Sequence, residues 1–349
     1  MASFPRGRVH YRPVTRPKKG QHSRETEREM KMDICRLFSQ PKTWNFLRTA
    51  ALLALFAVPD IGWAADDNGK GREVTAEVSD NGVRVSVGGS LFTVYKTDTS
   101  QKYPYFFPVN GPVSGEPVTT ETSEPYPHHH SLFFGCDKVN GGNYWQEGLD
   151  RGQIVSKGVE ILEARGNRVV FRDQCRWVRP GKEPVIRDER TVTVSAPSET
   201  VRQIDFDIVL TPQEEVRIEQ TNHSLFSARM VPELSALQGG TLVNAAGDQN
   251  EKGTFGKASP WADYSGGRGG KTEGLAILQH PENPWHPAPW FTRDYGFFSP
   301  TPMYWPENGE YTDLPRGKPL RLRYRVIVHG GNAEDAGVAA AFAAYTAEK

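Results

Sequence analysis

Long apolar runs are missing from this sequence. The apolar run at residues 49–58 holds ten residues, about half of what an α-helix needs to cross a bilayer. Cysteine is scarce too, because only Cys136 and Cys175 lie beyond position 64. In an oxidising compartment these two can form a disulfide or stay as buried thiols, and their spacing does not decide between them. We therefore expect neither a membrane-spanning helix after position 64 nor a disulfide-rich scaffold.

Motifs of several enzyme classes are also missing. The chain has no Gly-rich phosphate-binding loop, no Gly-x-Ser-x-Gly nucleophile elbow and no zinc-type Cys pair. It has no excess of one charge sign either, with 42 Lys or Arg and 42 Asp or Glu. Residues 1–64 hold twelve of the basic and five of the acidic residues, which leaves 30 against 37 and a net charge of about −7. This sign argues against nucleic acid and against an anionic membrane as partners.

The first 64 residues have the order of charges and apolar residues that is typical of a signal peptide. Four basic residues between positions 31 and 48 precede the apolar run, and Gly62 and Ala64 place small residues before a cut after Ala64. An uncleaved membrane anchor is the alternative. Cleavage predicts a periplasmic or secreted protein without a membrane span in its mature part. Three segments follow: residues 1–29 as a non-structural extension, 30–64 as the signal peptide and 65–349 as one domain.

Short runs of β-branched and aromatic residues dominate the rest of the chain. Asn81-Gly82 between two of them is a strong hairpin signal. Asn332 can cap a single convincing helix, in which Val338, Phe342 and Tyr345 recur at helical spacing. Many strands and one helix predict an all-β fold, a large antiparallel β-sandwich with one C-terminal helix. The predicted strands are residues 74–78, 83–87, 91–95, 168–178, 187–195, 201–210, 216–221 and 320–328.

Two segments, residues 103–148 and 239–306, lack the alternation of a strand. They are long and rich in Pro, Gly and aromatic residues, and long loops in compact domains are often functional. Five of the seven His residues after position 64 lie in them, and only His223 and His329 lie outside. We therefore predict that the two segments meet and form one cleft.

The run His128-His129-His130 is the sharpest local feature of the first segment. If this run is extended, His128 and His130 share one face and His129 takes the other. Two imidazoles on one face can act as acid and base near neutral pH, or can ligate a divalent metal with a third ligand that spacing does not fix. They can equally be structural, each bonded to a backbone carbonyl. No other cofactor is expected.

A carboxylate and an aromatic-rich stretch complete the predicted cleft. Glu147 lies close to Trp145, and an apolar wall can raise the pKa of a carboxyl to that of a general acid; the alternative is a solvated loop residue. Residues 280–305 combine rigid aromatic rings with polar groups, which suits a sugar ring, although such rings can also just close one end of a sandwich. The catalytic candidates are His128, His130, Glu147, His280 and His286. The substrate-binding candidates are Trp145, Asp263, Trp285, Trp290, Arg293 and Tyr295.

Several motifs together resemble a family of domains of unknown function labelled PmoA, or methane oxygenase-like. The matching residues are Pro104–Pro108, Pro127–His130, Gly135, Val139–Gly141, Trp145, Glu147, Asn222, Phe226, Arg229, Leu234, Trp261–Gly266, Gly274–Pro281, Asn283–Pro287, Trp290 and Arg293–Gly296. The resemblance implies a β-sandwich similar to the galactose-mutarotase type, in which sugar-epimerising enzymes use a His and a carboxylate. The chain departs from the family pattern at His130, where the family often has Arg, and at Gln279, where it often has Asp.

The PmoA label implies methane oxidation by an integral membrane protein, which the missing membrane span argues against. The residues instead favour an exported carbohydrate-active enzyme, a lyase, hydrolase or epimerase that uses His and a carboxylate. Two alternatives stay open: a non-catalytic carbohydrate-binding module, and a metal-dependent enzyme that uses the His run. In each case the expected partner is a carbohydrate or another small molecule.

Overall fold

The computed structural model describes residues 72–305 and 311–348. The predicted extension and signal peptide, residues 1–64, lie outside this part of the chain. The described residues form two antiparallel sheets and a C-terminal helix, so the all-β prediction is confirmed. Within the described part, no helix is long and apolar enough to cross a membrane.

The strands are numbered along the chain. They are β1 (Val74–Ser79), β2 (Gly82–Val87), β3 (Ser90–Lys96), β4 (Tyr105–Val109), β5 (Leu132–Val139), β6 (Gly142–Tyr144), β7 (Gln153–Arg165), β8 (Arg168–Val178), β9 (Ile186–Ser198), β10 (Val201–Pro212), β11 (Val216–Glu219), β12 (Leu225–Arg229), β13 (Thr241–Asn244), β14 (Trp261–Arg268), β15 (Lys271–Gln279), β16 (Trp290–Arg293), β17 (Phe297–Pro300), β18 (Tyr311–Leu314) and β19 (Leu320–Gly330). The helices are α1 (Asn250–Thr254) and α2 (Val338–Ala347).

The strands divide between two sheets. The first sheet has eleven strands, in the order β1-β2-β3-β4-β5-β12-β17-β16; β6 and β11 branch off at β5, and β18 pairs with β11. The second has eight, in the order β13-β14-β15-β19-β10-β9-β8-β7. All of their pairings are antiparallel.

The core lies between the two sheets. Along β10, buried and partly buried positions alternate, and Phe206 is one of the buried ones. Its ring contacts Phe106, Phe134 and Phe226, which belong to the first sheet. Burial of one such side chain stabilises the fold by about 1.5–3 kcal/mol. The period-2 pattern of the sequence therefore marks the faces along which the sheets meet.

The two segments predicted as loops contain strands, so that part of the prediction is wrong. The first includes β4, β5 and β6, and the second includes β13 to β17. β5 shows the reason: seven of its eight residues are buried, on both faces of the sheet. A strand that is buried on both faces has an apolar run without alternation, and such a run does not stand out in a segment rich in Pro and Gly.

Helix α2 covers part of the outer face of the second sheet, the face turned away from the first. Its residues Val338, Ala341 and Tyr345 pack with Leu278 and Ile327 from the sheet. The outward side of β19, predicted to be wet, is therefore largely covered. The helix also begins later than predicted. Asn332 instead caps a preceding turn, in which its Oδ1 accepts hydrogen bonds from the backbone N–H groups of Glu334 and Asp335.

The two cysteines are buried free thiols. Cys136 lies on β5 of the first sheet and Cys175 on β8 of the second. The alternative of a disulfide between them is therefore not realised.

The first sheet branches at β5. Near its start β5 pairs with β12, Gly135 facing Leu225, and at its end it pairs with β11, Val139 facing Ile218. Four steps along β5 thus correspond to seven along the partner chain, and residues 220–224 bulge out between the two pairings. Leu225 has φ 66° and Lys138 has φ 51°. This left-handed conformation costs of order 1–3 kcal/mol for a residue with a side chain and is common beside functional sites.

Candidate functional site

The candidate site lies on the outer face of the first sheet, the face turned away from the second. Side chains alternate along β5, so Phe134 points to the second sheet and contacts Trp177, whereas Phe133 points outward. Outside the sheet, Phe133 stacks on Tyr103 with ring centroids 4.7 Å apart and contacts Trp145 at 4.7 Å. An aromatic layer therefore covers this face and surrounds the polar groups described next.

Three imidazoles meet in this layer. The ring centroids of His128 and His129 are 4.5 Å apart, and that of His223 lies 6.3 Å from the first and 5.9 Å from the second. His129 and His223 are buried, whereas His128 is partly exposed. His129 and His223 belong to different parts of the chain. His129 lies in the loop before β5, and His223 lies in the bulge between β11 and β12.

Aromatic rings surround the imidazoles. Trp145 lies 4.4 Å from His223, and Phe297 lies 4.2 Å from His129, centroid to centroid. Tyr126 stacks on His129 at 5.2 Å and contacts Tyr295 at 5.3 Å. Water is excluded from most of the cluster, which strengthens any hydrogen bond or charge interaction within it.

The imidazoles of this cluster are neutral at pH 7. Burial lowers the pKa of His128, and the nearby His130 lowers it further. Burial also lowers the pKa of His223 to about 3, and that of His129 lies far below its ordinary value for the same reason, with contributions from the neighbouring imidazoles. A neutral imidazole has one N–H and one free lone pair, so each ring can donate one hydrogen bond and accept one.

The ring orientation of His223 is held by its neighbour Asn222. Its Nδ1 is hydrogen-bonded to Oδ1 of Asn222. An amide oxygen only accepts, so Nδ1 carries the proton and Nε2 keeps the lone pair. In His129, by contrast, Nδ1 is buried and has no hydrogen-bond partner among the described residues. A buried polar atom without a partner is costly, which is typical of a site that a ligand completes.

The three imidazoles are also the arrangement that could hold a metal. Their ligand atoms lie within 4.8 Å of one another, against roughly 3.4 Å for nitrogens around one tetrahedral zinc at about 2.0–2.1 Å. A ring shift would close that gap. The positive charge of Arg229 acts on His129, however, and opposes a dication there. The sequence predicted His128 and His130 as metal ligands. The structure instead groups His128 with His129 and His223 and leaves His130 outside.

Two arginines flank the cluster. Arg293 lies over Phe291 at 4.1 Å and forms an ion pair with Glu251 at 3.0 Å, so its charge is balanced within the protein. Arg229, at the end of β12, is 3% exposed and lies over the ring of Tyr295 at 4.2 Å. The guanidinium of Arg293, which was predicted to bind substrate, is therefore already paired with Glu251. That of Arg229 forms no ion pair with a described residue.

A cavity of about 600 Å³ adjoins the imidazoles. Asp137, on the outward side of β5, lies in its wall and accepts hydrogen bonds from Asn143 at 2.7 Å, Gln146 at 2.9 Å and Thr221 at 3.1 Å. Thr221 Oγ1 also lies 3.0 Å from the backbone oxygen of His223, which links the cavity to the cluster. The lining residues are Asp137, Lys138, Gln146, Gln220, Thr221, Asn222, Tyr304 and Trp305.

The carboxyl of Asp137 has a pKa that suits a general acid or base near neutral pH. Burial raises its pKa to about 6, although the hydrogen bonds from Thr221 and Asn143 act in the opposite direction. Near neutral pH such a group exists in both protonation states, so it can donate a proton or accept one. This is the property that the sequence suggested for Glu147.

The structure brings together four of the predicted site residues. His128, Trp145 and Tyr295 belong to the cluster, and Arg293 lies at its edge. His130 does not share a face with His128, because residues 126–131 form turns instead of a strand. Its ring lies 5.0 Å from that of Tyr105, whose hydroxyl donates to Glu121.

His280 and His286 lie elsewhere, so their predicted place in the cleft is wrong. His280 contacts Tyr345 at 4.9 Å and Arg323 at 2.8 Å, and His286 stacks near Phe342 at 6.2 Å. Both therefore pack beside helix α2, next to the second sheet. The reason is that the loop carrying them follows β15, a strand of the second sheet.

Four other predicted residues are structural. Asp263 pairs with His329 at 2.6 Å in the second sheet. Trp290 lies in the core and donates its indole N–H to the backbone oxygen of Ser259, and Trp285 packs against that core. Glu147 lies at the surface, where it pairs with Arg151 at 2.9 Å. Their aromatic and acidic character suggested a ligand site, yet each finds its partner within the protein.

Sequence reasoning missed His129, His223, Asp137, Tyr126 and Arg229. His223 lies outside the two segments singled out for His density, and His129 was assigned to the opposite face. Asp137 had a usable signal: it is a carboxylate inside the apolar run of residues 132–139. A charged residue in a strand that is buried on both faces is rarely there for stability.

The comparisons with solved structures return sugar enzymes at low similarity. A galactose mutarotase related enzyme from Lactobacillus acidophilus is 10% identical, with 73% of this chain and 97% of that one covered and a TM-score of 0.31. A provisionally assigned aldose 1-epimerase from Klebsiella pneumoniae subsp. pneumoniae is 9% identical, with 78% and 83% covered and a TM-score of 0.37. A provisionally assigned kojibiose phosphorylase from the human microbiome is 6% identical at a TM-score of 0.30; 62% of this chain aligns, and it spans only 26% of that protein.

The sequence comparisons give the family. No curated protein matches this chain. A family profile, however, matches residues 82–343, which is most of the chain and all but the first of its strands and its last few residues. The chain belongs to the family of unknown function DUF6807.

Proposed function

We propose that this protein is an exported, carbohydrate-active enzyme whose acid–base group is Asp137. The observation that carries the proposal is the position of this carboxyl, with its pKa near 6, in a cavity walled by amides and by Tyr304 and Trp305. Sugars are bound by this combination in general, because their C–H faces pack on aromatic rings and their hydroxyls need donors and acceptors.

The cavity has polar groups to spare. Nδ2 of Asn222 and Oε1 of Gln146 and Gln220 make no hydrogen bond to any described residue. They can orient sugar hydroxyls while the Asp137 carboxyl exchanges a proton with a sugar oxygen. The neutral imidazole of His223, next to Asn222 in the chain, has its Nε2 lone pair free to accept a hydrogen bond from a sugar hydroxyl. A carboxyl and an imidazole at one site fit a lyase, a hydrolase or an epimerase.

The test is the variant Asp137→Asn, compared with Asp313→Asn, which alters an exposed carboxylate paired with Arg217. Turnover is measured by polarimetry on α-D-galactose and α-D-glucose and by release of reducing ends from a panel of polysaccharides. We expect Asp137→Asn to lose about 10²–10⁴ in rate, the control to keep its rate, and both to keep their melting temperature. The wild-type rate should also depend on a group ionising near pH 6.

Three results would contradict the assignment. Full turnover in Asp137→Asn would show that another group carries the acid–base step. Sugar binding by calorimetry without turnover on any of these substrates would favour the alternative of a non-catalytic carbohydrate-binding module. A rate that needs an added divalent ion, and that disappears in His223→Ala, would favour the metal-dependent alternative.

Export and the family label are further parts of the proposal. The order of charged, apolar and small residues before position 65 supports a periplasmic or secreted protein. N-terminal sequencing of the exported protein should begin at Ala65, within a residue, and retention of residues 52–56 would contradict it. The motif resemblance to the PmoA-labelled family stays a prediction, and methane oxidation forms no part of the proposed activity.

A further inference from the structure

Two of the three guanidinium nitrogens of Arg229 have no hydrogen-bond partner among the described residues. Its side chain is 3% exposed, and its Nη2 donates to Oγ of Ser123 at 3.1 Å. Its Nε and Nη1 are buried and have no partner among the described residues. The guanidinium lies over the ring of Tyr295, with its Cζ 4.2 Å from the ring centroid.

The charge of Arg229 is also unbalanced. Within residues 72–305 and 311–348, no carboxylate lies within ion-pair distance of it. Among the other buried arginines, Arg190 pairs with Asp188 at 2.8 Å and Arg325 with Asp205 at 2.6 Å. Arg202 forms no ion pair with a described residue, but its Nη1 donates to the backbone oxygens of residues 198, 199 and 201. A buried charge without a partner is strongly unfavourable, so the local structure favours binding of an anion.

The neighbours of Arg229 do not oppose an anion. His129, whose pKa is lowered by its burial and by this guanidinium, stays neutral, and burial raises the pKa of Tyr295 to about 12, so its phenol is neutral as well. The approach from solvent passes Tyr126, which is 38% exposed and lies in the loop of residues 121–130. Rotation of this one side chain, a common change on binding, would expose the Tyr295 ring that it contacts at 5.3 Å, beside the guanidinium.

We propose that Arg229 binds the carboxylate of a sugar acid, with the imidazoles of His128 and His129 holding neighbouring hydroxyls. This inference rests on the proposed carbohydrate function and narrows its substrate class to uronates. A carboxylate accepts charge-assisted hydrogen bonds from a guanidinium, and these are stronger than bonds between neutral groups. A divalent metal on the three imidazoles would add positive charge beside Arg229 and leave its donors unpaired.

The experiment compares D-galacturonate and D-glucuronate with their methyl esters, which keep the sugar and remove the charge. Affinities are measured by calorimetry for wild type, Arg229→Gln, Arg229→Lys and the control Arg321→Gln, whose exposed arginine pairs with Asp207. We expect the acids to bind wild type and the control at least about thirtyfold more tightly than the esters. The preference should vanish in Arg229→Gln and persist, weakened, in Arg229→Lys.

Melting temperatures separate this inference from the proposed function. Sodium acetate, compared with sodium chloride at equal ionic strength, should raise the melting temperature of wild type and leave that of Arg229→Gln unchanged. If acetate acts in this way but no sugar binds, the anion site stands and the carbohydrate proposal fails. If uronates and esters bind equally and acetate has no effect, sugar binding stands and the anion site is refuted.

The stability of Arg229→Gln without ligand is a second check. Because the variant removes an unbalanced buried charge and keeps a partner for Ser123, its melting temperature should equal or exceed that of wild type. A large loss of stability in both Arg229→Gln and Arg229→Lys would show that the guanidinium is structural. Stimulation of uronate binding by added Zn²⁺, abolished in His223→Ala, would show instead that a metal receives the carboxylate, and would overturn the role of Arg229.

Discussion

The outer faces of the two sheets differ in whether their buried charged side chains have ion-pair partners. On the second sheet, under helix α2, the buried charges are paired: His329 with Asp263, and Arg325 with both Asp205 and Glu348. On the first sheet, Arg229 has no ion-pair partner among the described residues, and its Nε and Nη1 are unbonded.

Whether a buried polar residue has a partner distinguishes structural residues from ligand-binding ones better than the residue type does. A His or Arg that finds its partner within the chain contributes to stability, and breaking the pair is costly. A buried polar group left without a partner costs stability and persists where a ligand supplies what is missing. His280, Asp263 and Trp290 looked functional in the sequence, yet each forms a hydrogen bond within the chain, to Arg323, His329 and Ser259. One further buried atom of His280 and one of Asp263 have no partner, so the contrast between the two faces concerns paired charges and not every polar atom.

The strongest test of the comparison is the variant His329→Ala. It leaves the Asp263 carboxylate fully buried without its partner, so the free energy of unfolding should fall by about 3–5 kcal/mol. Chemical denaturation measures this change. The double variant Asp263→Asn with His329→Gln, which removes both charges, should lose less than His329→Ala. An equal loss would mean that shape and not charge holds this region together.

The same pair should give a pH dependence of stability opposite in sign to that of the neutral buried imidazoles on the first sheet, whose pKa values are lowered. Burial by itself lowers the pKa of His329, but the Asp263 carboxylate and the hydrogen bonds to the ring raise it above 6.5 in the folded state. Its contribution to stability is therefore full below pH 6.5 and is lost as the pH rises through the folded pKa. The difference in unfolding free energy between wild type and His329→Gln, followed from pH 5 to 9, should shrink over that range. A constant difference would contradict the pairing.

On the first sheet, a substitution at the unbonded imidazole should be mild. His129→Leu keeps a buried side chain of similar size and removes a ring nitrogen without a partner, so the unfolding free energy should change by less than about 1.5 kcal/mol. Binding of the sugar acids should weaken in the same protein. If His129→Leu is as destabilising as His329→Ala, the two faces do not differ in the way described.

The smallest effect is expected at Glu147. Its ion pair with Arg151 is half exposed, so Glu147→Gln should change the unfolding free energy by no more than about 0.5 kcal/mol. Turnover should be unchanged, because the acid–base role belongs to Asp137. A rate loss as large as that of Asp137→Asn would return the role to the residue that the sequence suggested.

Most of the fold could be predicted from the sequence. The eight predicted strands all lie within strands of the structure or overlap them closely, because period-2 alternation reports a sheet with one face in the core. Eight further strands escaped in the two aromatic segments, where strands such as β5 and β15 are largely buried and show no alternation. β7, β12, β18 and the short α1 were also not foreseen.

The candidate site was less predictable, because it depends on which strands become neighbours. His128, Trp145 and Tyr295 were found from local composition. Their meeting with His223 requires β12 to pair with β5, and nothing in the sequence near either strand states this. His280 and His286 failed for the same reason: density of His along the chain says nothing about which sheet the residues join.

The bulge between β11 and β12 sets how this site can be altered. Seven residues span four positions of β5 there, so inserting or deleting one residue in 220–224 would turn β12 over and move Phe226 out of the core. The loop of residues 121–130 contains no strand whose register could shift, and its length can vary at little entropic cost. In related chains, length differences should gather in that loop and avoid 220–224. An engineer who wants a new ligand should therefore redesign the Tyr126 loop and leave the bulge intact.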